Sequence, residues 1–200
     1  MFQKIENLNN QMHQLETNNW LHHDLFTYQW WIIVLVNTIF LCLLFIFIDR
    51  KRIFQIALAF MVCYYIVCVS DDLGQYYGLW SYPHQFVPFI SELDAVEFAV
   101  IPATFTILYQ TFDSWQKYLI GGILISIACA FIGLPIFVYL GITKLSNWNY
   151  FYSLLVLTAT FILLKIIVDS ISSAYRKLKQ QDYSNPKPTF NPFLSKKKAR

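Results

Sequence analysis

Asp71, Asp72, His84, Glu92, Asp94 and Glu97 are the residues of this 200-residue chain whose types and spacing could do chemistry. They lie in one stretch, DDLGQYYGLWSYPHQFVPFISELDAVE, which holds five of the twelve acidic residues, one histidine, and no lysine or arginine. Carboxylates and an imidazole serve as general acids and bases once burial or a neighbour tunes them. Asp94 and Glu97 are three apart and share a face where a helix has begun, and like charges held that close resist double ionisation. Hard carboxylate oxygens also suit Ca²⁺ or Mg²⁺. The catalytic candidates on this reading are Asp72, His84, Asp94 and Glu97. A plainer reading stands beside it: a solvated acidic loop capped by aromatics. In that reading Asp71 and Asp72 end one helix, and Glu92 and Asp94 begin the next, where the helix dipole favours negative charge. Glu97 is the residue it explains least.

Other signatures of chemistry are weak. His22, His23 and Asp24 have metal-ligand side chains, but an isolated His-His-Asp run before an apolar segment reads first as interfacial polar residues. Cys42, Cys63, Cys68 and Cys129 all fall inside apolar runs and make no CxxC or Cys/His cluster, so they read as small buried hydrophobes. Neither a nucleotide-binding loop nor a recognised nucleophile constellation is present. No metal and no cofactor is expected.

The elements that must position the acidic stretch are apolar helices. The chain is 56% hydrophobic, 18% aromatic and 14% charged, where a soluble chain carries roughly 25% charged residues. Its apolar residues occur in runs long enough to cross a bilayer, which takes about 17–25 residues per helix. The expected fold is an all-α membrane protein, a bundle of five transmembrane helices. Residues 1–29 form a polar head in which Ile5, Leu8, Met12 and Leu15 lie on one face of a short amphipathic helix. Residues 30–170 form the membrane domain, with spans at about 31–48, 53–69, 95–110, 118–140 and 150–168. Residues 171–200 form a basic, largely disordered tail, where Asn185-Pro186 and Asn191-Pro192 break any helix.

The third span is short, and extending it backward draws Asp94 into the membrane at about 2.5–3.5 kcal/mol. Glu97 therefore belongs at the interface, with Phe86 to Ile90 as a short re-entrant piece. In the fourth span Gly122, Ser126 and Ala130 form a small-residue stripe for close helix packing, and Gly133 and Pro135 should kink it. Lys165 and Asp169 are four apart on one face of the fifth, where the lysine either pairs locally or snorkels.

Basic residues fix an orientation. Twelve of the fifteen fall on the side of the first turn, the third turn and the tail; Lys4 and Lys144 fall on the other. By the positive-inside rule the N-terminus is outside and the C-terminus cytoplasmic. Trp20, Trp30, Trp31, Trp80 and Trp148 fall on the outer side and only Trp115 on the inner, as indoles at an interface should.

DLGQYYGLW at 72–80, IPATFTILYQ at 101–110 and GLPIFVYLGITKLSNWNYFY at 133–152 resemble an uncharacterised family of small multipass membrane proteins from spore-forming Gram-positive bacteria. The likeness covers Trp30 to about Asp169 and leaves the head outside. It implies a bacterial plasma-membrane protein; no activity is assigned to the family, so no residue roles follow.

The function expected from residues and resemblance together is a multipass binding, structural or sensory membrane component. Its partners are the lipid bilayer and a second copy or another membrane protein. The basic tail lacks any base-reading motif, so nucleic acid is not a partner. The alternative is an outer-leaflet enzyme that modifies a lipid or isoprenoid through carboxylates of residues 71–97. A transporter or oligomeric channel is a third reading, disfavoured by the scarcity of ionisable residues deep in the helices.

Overall fold

A computed structural model of the chain describes residues 1–88 and 98–184. Its elements in order are α1 (Phe2–Asn19), α2 (Tyr28–Phe47), α3 (Ile53–Tyr76), β1 (Trp80–Ser81), α4 (Val100–Thr111), α5 (Trp115–Ala128), α6 (Leu134–Tyr139), β2 (Lys144–Leu145) and α7 (Tyr150–Ser184). The fold is all-α, with β1 and β2 as a short antiparallel clip that sets Trp80 opposite Leu145 and Ser81 opposite Lys144.

Among the described residues, four helical segments are long and apolar enough to cross a membrane: Tyr28–Phe47, Arg50–Tyr76, Trp115–Tyr139 and Tyr150–Gln180. Their outward faces are apolar as well. Phe45, Phe54, Met61, Leu124 and Ile132 are all exposed, and hydrophobicity on every side marks a helix whose solvent is lipid. The third expected span is different. α4 has 12 residues, about 18 Å of helix at 1.5 Å per residue, against a hydrocarbon core of about 30 Å. It is nevertheless central: Pro102, Ala103, Phe105, Thr106, Leu108 and Tyr109 are buried, because α4 packs on α2, α3 and α5. Pro102 sits in its first turn, where a missing N–H removes no helical bond. Residues 95–97 of that expected span, Glu97 among them, lie outside the described residues.

The main core joins α3, α4, α5 and α7 through Cys63, Phe105, Tyr109, Tyr118, Phe161 and Leu164. Rings interlock there edge to face, Phe105 and Tyr118 each lying within 6 Å of Phe161 (5.8 and 5.7 Å between centroids). The small-residue stripe works inside the chain. Gly122, Ser126 and Ala130 are buried, and a Cβ on Gly122 would sit 2.6 Å from the Phe161 ring.

The interruption expected in the fourth span is a π-helical turn at Cys129–Gly133. Pro135 has no N–H to offer the carbonyl four residues back. The ladder adjusts by one residue, and the Leu134 N–H bonds the Cys129 carbonyl instead.

Two helices run further than expected. α3 continues past Asp71 and Asp72 to Tyr76, and the left-handed residue that stops it is Gly78 at φ 64°. α7 continues to Ser184 where a tail was expected from residue 171. Ala174, Arg176, Lys177, Leu178 and Lys179 are strong helix formers, and the first breaker comes only at Asn185-Pro186. Residues 185–200 lie outside the described residues.

Phe161 is fully buried and has no room to retreat from a side chain at position 122. Gly122→Leu is expected to destabilise the protein by about 1–3 kcal/mol, the usual range for overpacking, whereas Ile123→Leu on the exposed face changes stability by about 0.5 kcal/mol or less. Unfolding midpoints in a bilayer mimetic measure both.

Candidate functional site

Adjacent aspartates at the end of α3 have opposite environments. Asp71 is 8% exposed, while Asp72, about 100° further round the helix, faces outward. Asp71 accepts three hydrogen bonds. Gln75 Nε2, one turn on, donates to Oδ2 at 2.8 Å, and Trp80 Nε1 and Tyr82 Oη each donate to Oδ1 at 2.7 Å.

Local geometry explains how these donors arrive. The Leu79 N–H bonds the Gly74 carbonyl and Gly78 turns the chain back on itself, closing the helix as glycine-terminated helices do. Trp80 and Tyr82 are two apart in extended backbone and so point to the same side. The Trp80 indole lies against Gly74, whose hypothetical Cβ would stand 2.0 Å from the ring; a side chain at position 74 would push Trp80 off the carboxylate. The Leu79 carbonyl accepts from the Ser146 and Asn147 N–H groups, and the Trp80 and Trp148 rings meet edge to face at 4.8 Å. The acidic stretch is thereby fastened to the connection between α6 and α7.

His84 pairs with a residue sixty positions away. Its Nδ1 meets Asp24 Oδ1, and the Gln85 N–H donates to Asp24 Oδ2 at 2.8 Å. Trp20 and Trp30 both donate their indole N–H to the Phe86 carbonyl at 3.1 Å. Asp24 is 3% exposed, so it is a buried anchor and not the interfacial polar residue expected beside His22 and His23. The turn that presents it is strained: Phe26 sits at φ 64°, a left-handed conformation that costs a bulky residue about 1–2 kcal/mol. Thr27 offsets it by accepting from the Trp30 N–H at the start of α2 and donating to the Asp24 carbonyl.

Of the four catalytic candidates, the structure describes two. His84 is held by Asp24 and Asp72 faces outward; Asp94 and Glu97 lie outside the described residues, as do Glu92 and the end of the proposed re-entrant piece at 89–90. Asp71 and Asp24 each answer their own set of donors. Among the described residues no three His, Cys, Asp or Glu side chains gather as a metal-ligand group.

Between α3, the π-turn and α7 lies a cavity of about 160 Å³. Val67, Ile101, Ala130, Leu134, Phe137 and Leu157 give it apolar walls, and Asp71 stands at its edge beside Trp80 and Tyr82. Five of the polar groups on the wall are turned onto the protein. Ser70 donates to the Ile66 carbonyl, Thr160 to the Val156 carbonyl and Trp148 to Ser153 Oγ, while Trp80 and Tyr82 donate to Asp71. A ligand there would meet hydrocarbon and few free donors.

A second polar cluster occupies the other end of the bundle. Lys165, 3% exposed, lies 3.3 Å from Asp169 Oδ2 and about 5 Å from the rings of Tyr109, Trp115 and Tyr118 (5.0, 5.3 and 4.9 Å). Tyr109 Oη donates to Asp169 Oδ1 at 2.8 Å and accepts from Gln55 Nε2 at 2.6 Å. One chain of contacts thus ties α3, α4 and α7. The i,i+4 pair was legible in the sequence; the aromatic cage, drawn from α4 and α5, was not.

Removing Asp169 alone leaves the Lys165 charge buried without its counter-ion, and a broken buried pair costs about 3–5 kcal/mol. Asp169 is itself about one-third exposed, so Asp169→Ala is expected at or below the lower end of that range. The double variant Lys165→Met/Asp169→Leu, which removes both charges, should be more stable than Asp169→Ala. Chemical or thermal unfolding of the three proteins in the same bilayer mimetic provides the comparison.

No family model, curated protein or solved structure matches this chain.

Proposed function

We propose that this protein is a multipass plasma-membrane binding component that holds a stretch of hydrocarbon chain, from a lipid or isoprenoid, in the cavity between α3, the π-turn and α7. The observation that carries the reading is a 160 Å³ space with mostly apolar walls, on which the Ser70, Trp80, Tyr82, Trp148 and Thr160 donors are committed to protein acceptors. Its volume is close to that of an apolar cavity of about 150 Å³ that takes up benzene. One isoprene unit or a short run of methylenes fits such a space; a polar substrate would find little to bind.

The five-pass arrangement belongs to the same proposal. α4 is too short to cross a full bilayer by itself, yet its two ends sit with opposite ends of the bundle. Val100 and Ile101 line the apolar cavity. Gln110 accepts from the Asp49 N–H and donates to the Phe47 carbonyl at the α2–α3 turn. Basic residues gather at the end holding that turn and α7's C-terminal half, and five of the six tryptophans, all but Trp115, at the other, which supports an outside N-terminus and a cytoplasmic C-terminus. Membership of the small multipass family suggested by residues 72–80, 101–110 and 133–152 is consistent with this arrangement.

Gly133 offers a direct test, because a Cβ there would meet nothing closer than the Ala128 carbonyl at 3.9 Å and the position lines the cavity. The full chain is reconstituted in vesicles containing a phospholipid with a diazirine on its acyl chain. Photolabelling is expected at Ala130, Leu134, Phe137 and Leu157, and Gly133→Leu, by filling the cavity, should reduce it several-fold while the unfolding midpoint holds or rises. Equal labelling of those residues in Gly133→Leu would place the lipid on the outer helix faces and remove the proposal.

A further inference from the structure

At the end of the bundle opposite the apolar cavity, a polar cavity of about 520 Å³ opens among α3, α4 and α7. We propose that it binds the phosphate of an anionic phospholipid headgroup. The α7 side of the cavity is built from Lys165, Asp169, Ser173 and Arg176, whose spacings of four, four and three put them on one helix face. Arg52 and Asp113 close the opposite side.

Charge decides what fits. Three cations (Arg52, Lys165, Arg176) face two carboxylates (Asp113, Asp169), leaving one positive charge, which a phosphodiester's single negative charge balances. The two acids are unequal obstacles. Asp169 is engaged by Lys165 and Tyr109. Asp113 meets Arg52 at 3.1 Å, but its side chain is 84% exposed, and such surface pairs contribute about 0–1 kcal/mol. A phosphate oxygen can therefore take Arg52 from Asp113 at little loss.

Arg176 is better placed still. Among the described residues its polar contact is Nε to the Ser172 carbonyl at 3.3 Å, which leaves the terminal nitrogens of the guanidinium to grip phosphate in the bidentate manner arginine favours. The Ser173 hydroxyl, one turn after Asp169 on the same wall, supplies a neutral donor. Lys165 at the floor is held by its aromatic cage and adds a fixed field. A lipid is favoured over free phosphate as the source because basic pockets between membrane helices, near where they leave the bilayer, meet headgroups at high local concentration.

The test uses the full chain in neutral detergent, titrated with short-chain phosphatidylglycerol and, separately, with inorganic phosphate. Native mass spectrometry is expected to retain one phosphatidylglycerol, and the lipid should raise the unfolding midpoint. Arg52→Gln/Arg176→Gln should weaken retention by about tenfold or more, the effect of losing a charge-assisted contact. Its lipid-free midpoint should match the wild type, while Arg50→Gln, outside the cavity, retains lipid normally. Phosphatidylglycerol bound equally by wild type and double variant would overturn the proposal. If inorganic phosphate binds with the same arginine dependence and displaces the lipid, the ligand is soluble phosphate and the lipid assignment fails; failure of phosphate to displace it supports the lipid.

Discussion

A carboxylate at the edge of an apolar bundle must find its donors within the protein, because lipid offers none and each unanswered buried polar group costs several kcal/mol. Asp71 is where this chain meets that constraint. Its three donors come from α3 itself and from Trp80 and Tyr82 after it, and accepting them bends the chain back across Gly74. Once Trp80 is in place, β1 pairs with β2 and the Trp80 and Trp148 rings meet. The connections at that end become one assembly. Asp24 does the same for the head, drawing in His84, Gln85 and the strained turn at Phe26.

Lys165 answers the same constraint at the opposite end with aromatic faces and one carboxylate. Between the two polar ends the interior is mostly hydrocarbon and ring, from Cys63 and Val67 to Phe161 and Leu164, with the Thr106 and Ser126 hydroxyls buried among them. The apolar cavity lies where this interior meets the Asp71 assembly, beside the π-turn that Pro135 imposes. A helix with an unbroken ladder would set Ala130, Gly133 and Leu134 in a different register against α7. The cavity thus follows from one proline and one carboxylate, each acting locally.

Features with local causes were legible in the sequence. The four long apolar segments, the disturbance near Gly133 and Pro135, the stripe at Gly122, Ser126 and Ala130, and the Lys165–Asp169 spacing all follow from neighbours within a turn or two. Asp71 and Asp72 look like a helix terminus by composition, but α3 runs past them; Gly78, a residue suited to the left-handed stop, is the better signal. A helix running to Gly78 makes Asp71 and Gln75 an i,i+4 pair, with Trp80 and Tyr82 on one side of the extended segment that follows. The burial of Asp24 and the cage round Lys165 had no such signal. Their partners lie 47 to 61 residues away in the chain, and only the folded arrangement of helices brings them together.

The most direct measurement is the coupling energy between Asp71 and Trp80. It is obtained from reversible unfolding of the wild type, Asp71→Asn, Trp80→Phe and the double variant in one bilayer mimetic. If Asp71 closes the bundle end, the pair should couple by about 1.5–3 kcal/mol, the range for a hydrogen bond to a charged group. A coupling near zero, with Asp71→Asn as stable as the wild type, would contradict an architectural role and return the carboxylate to the candidates for chemistry.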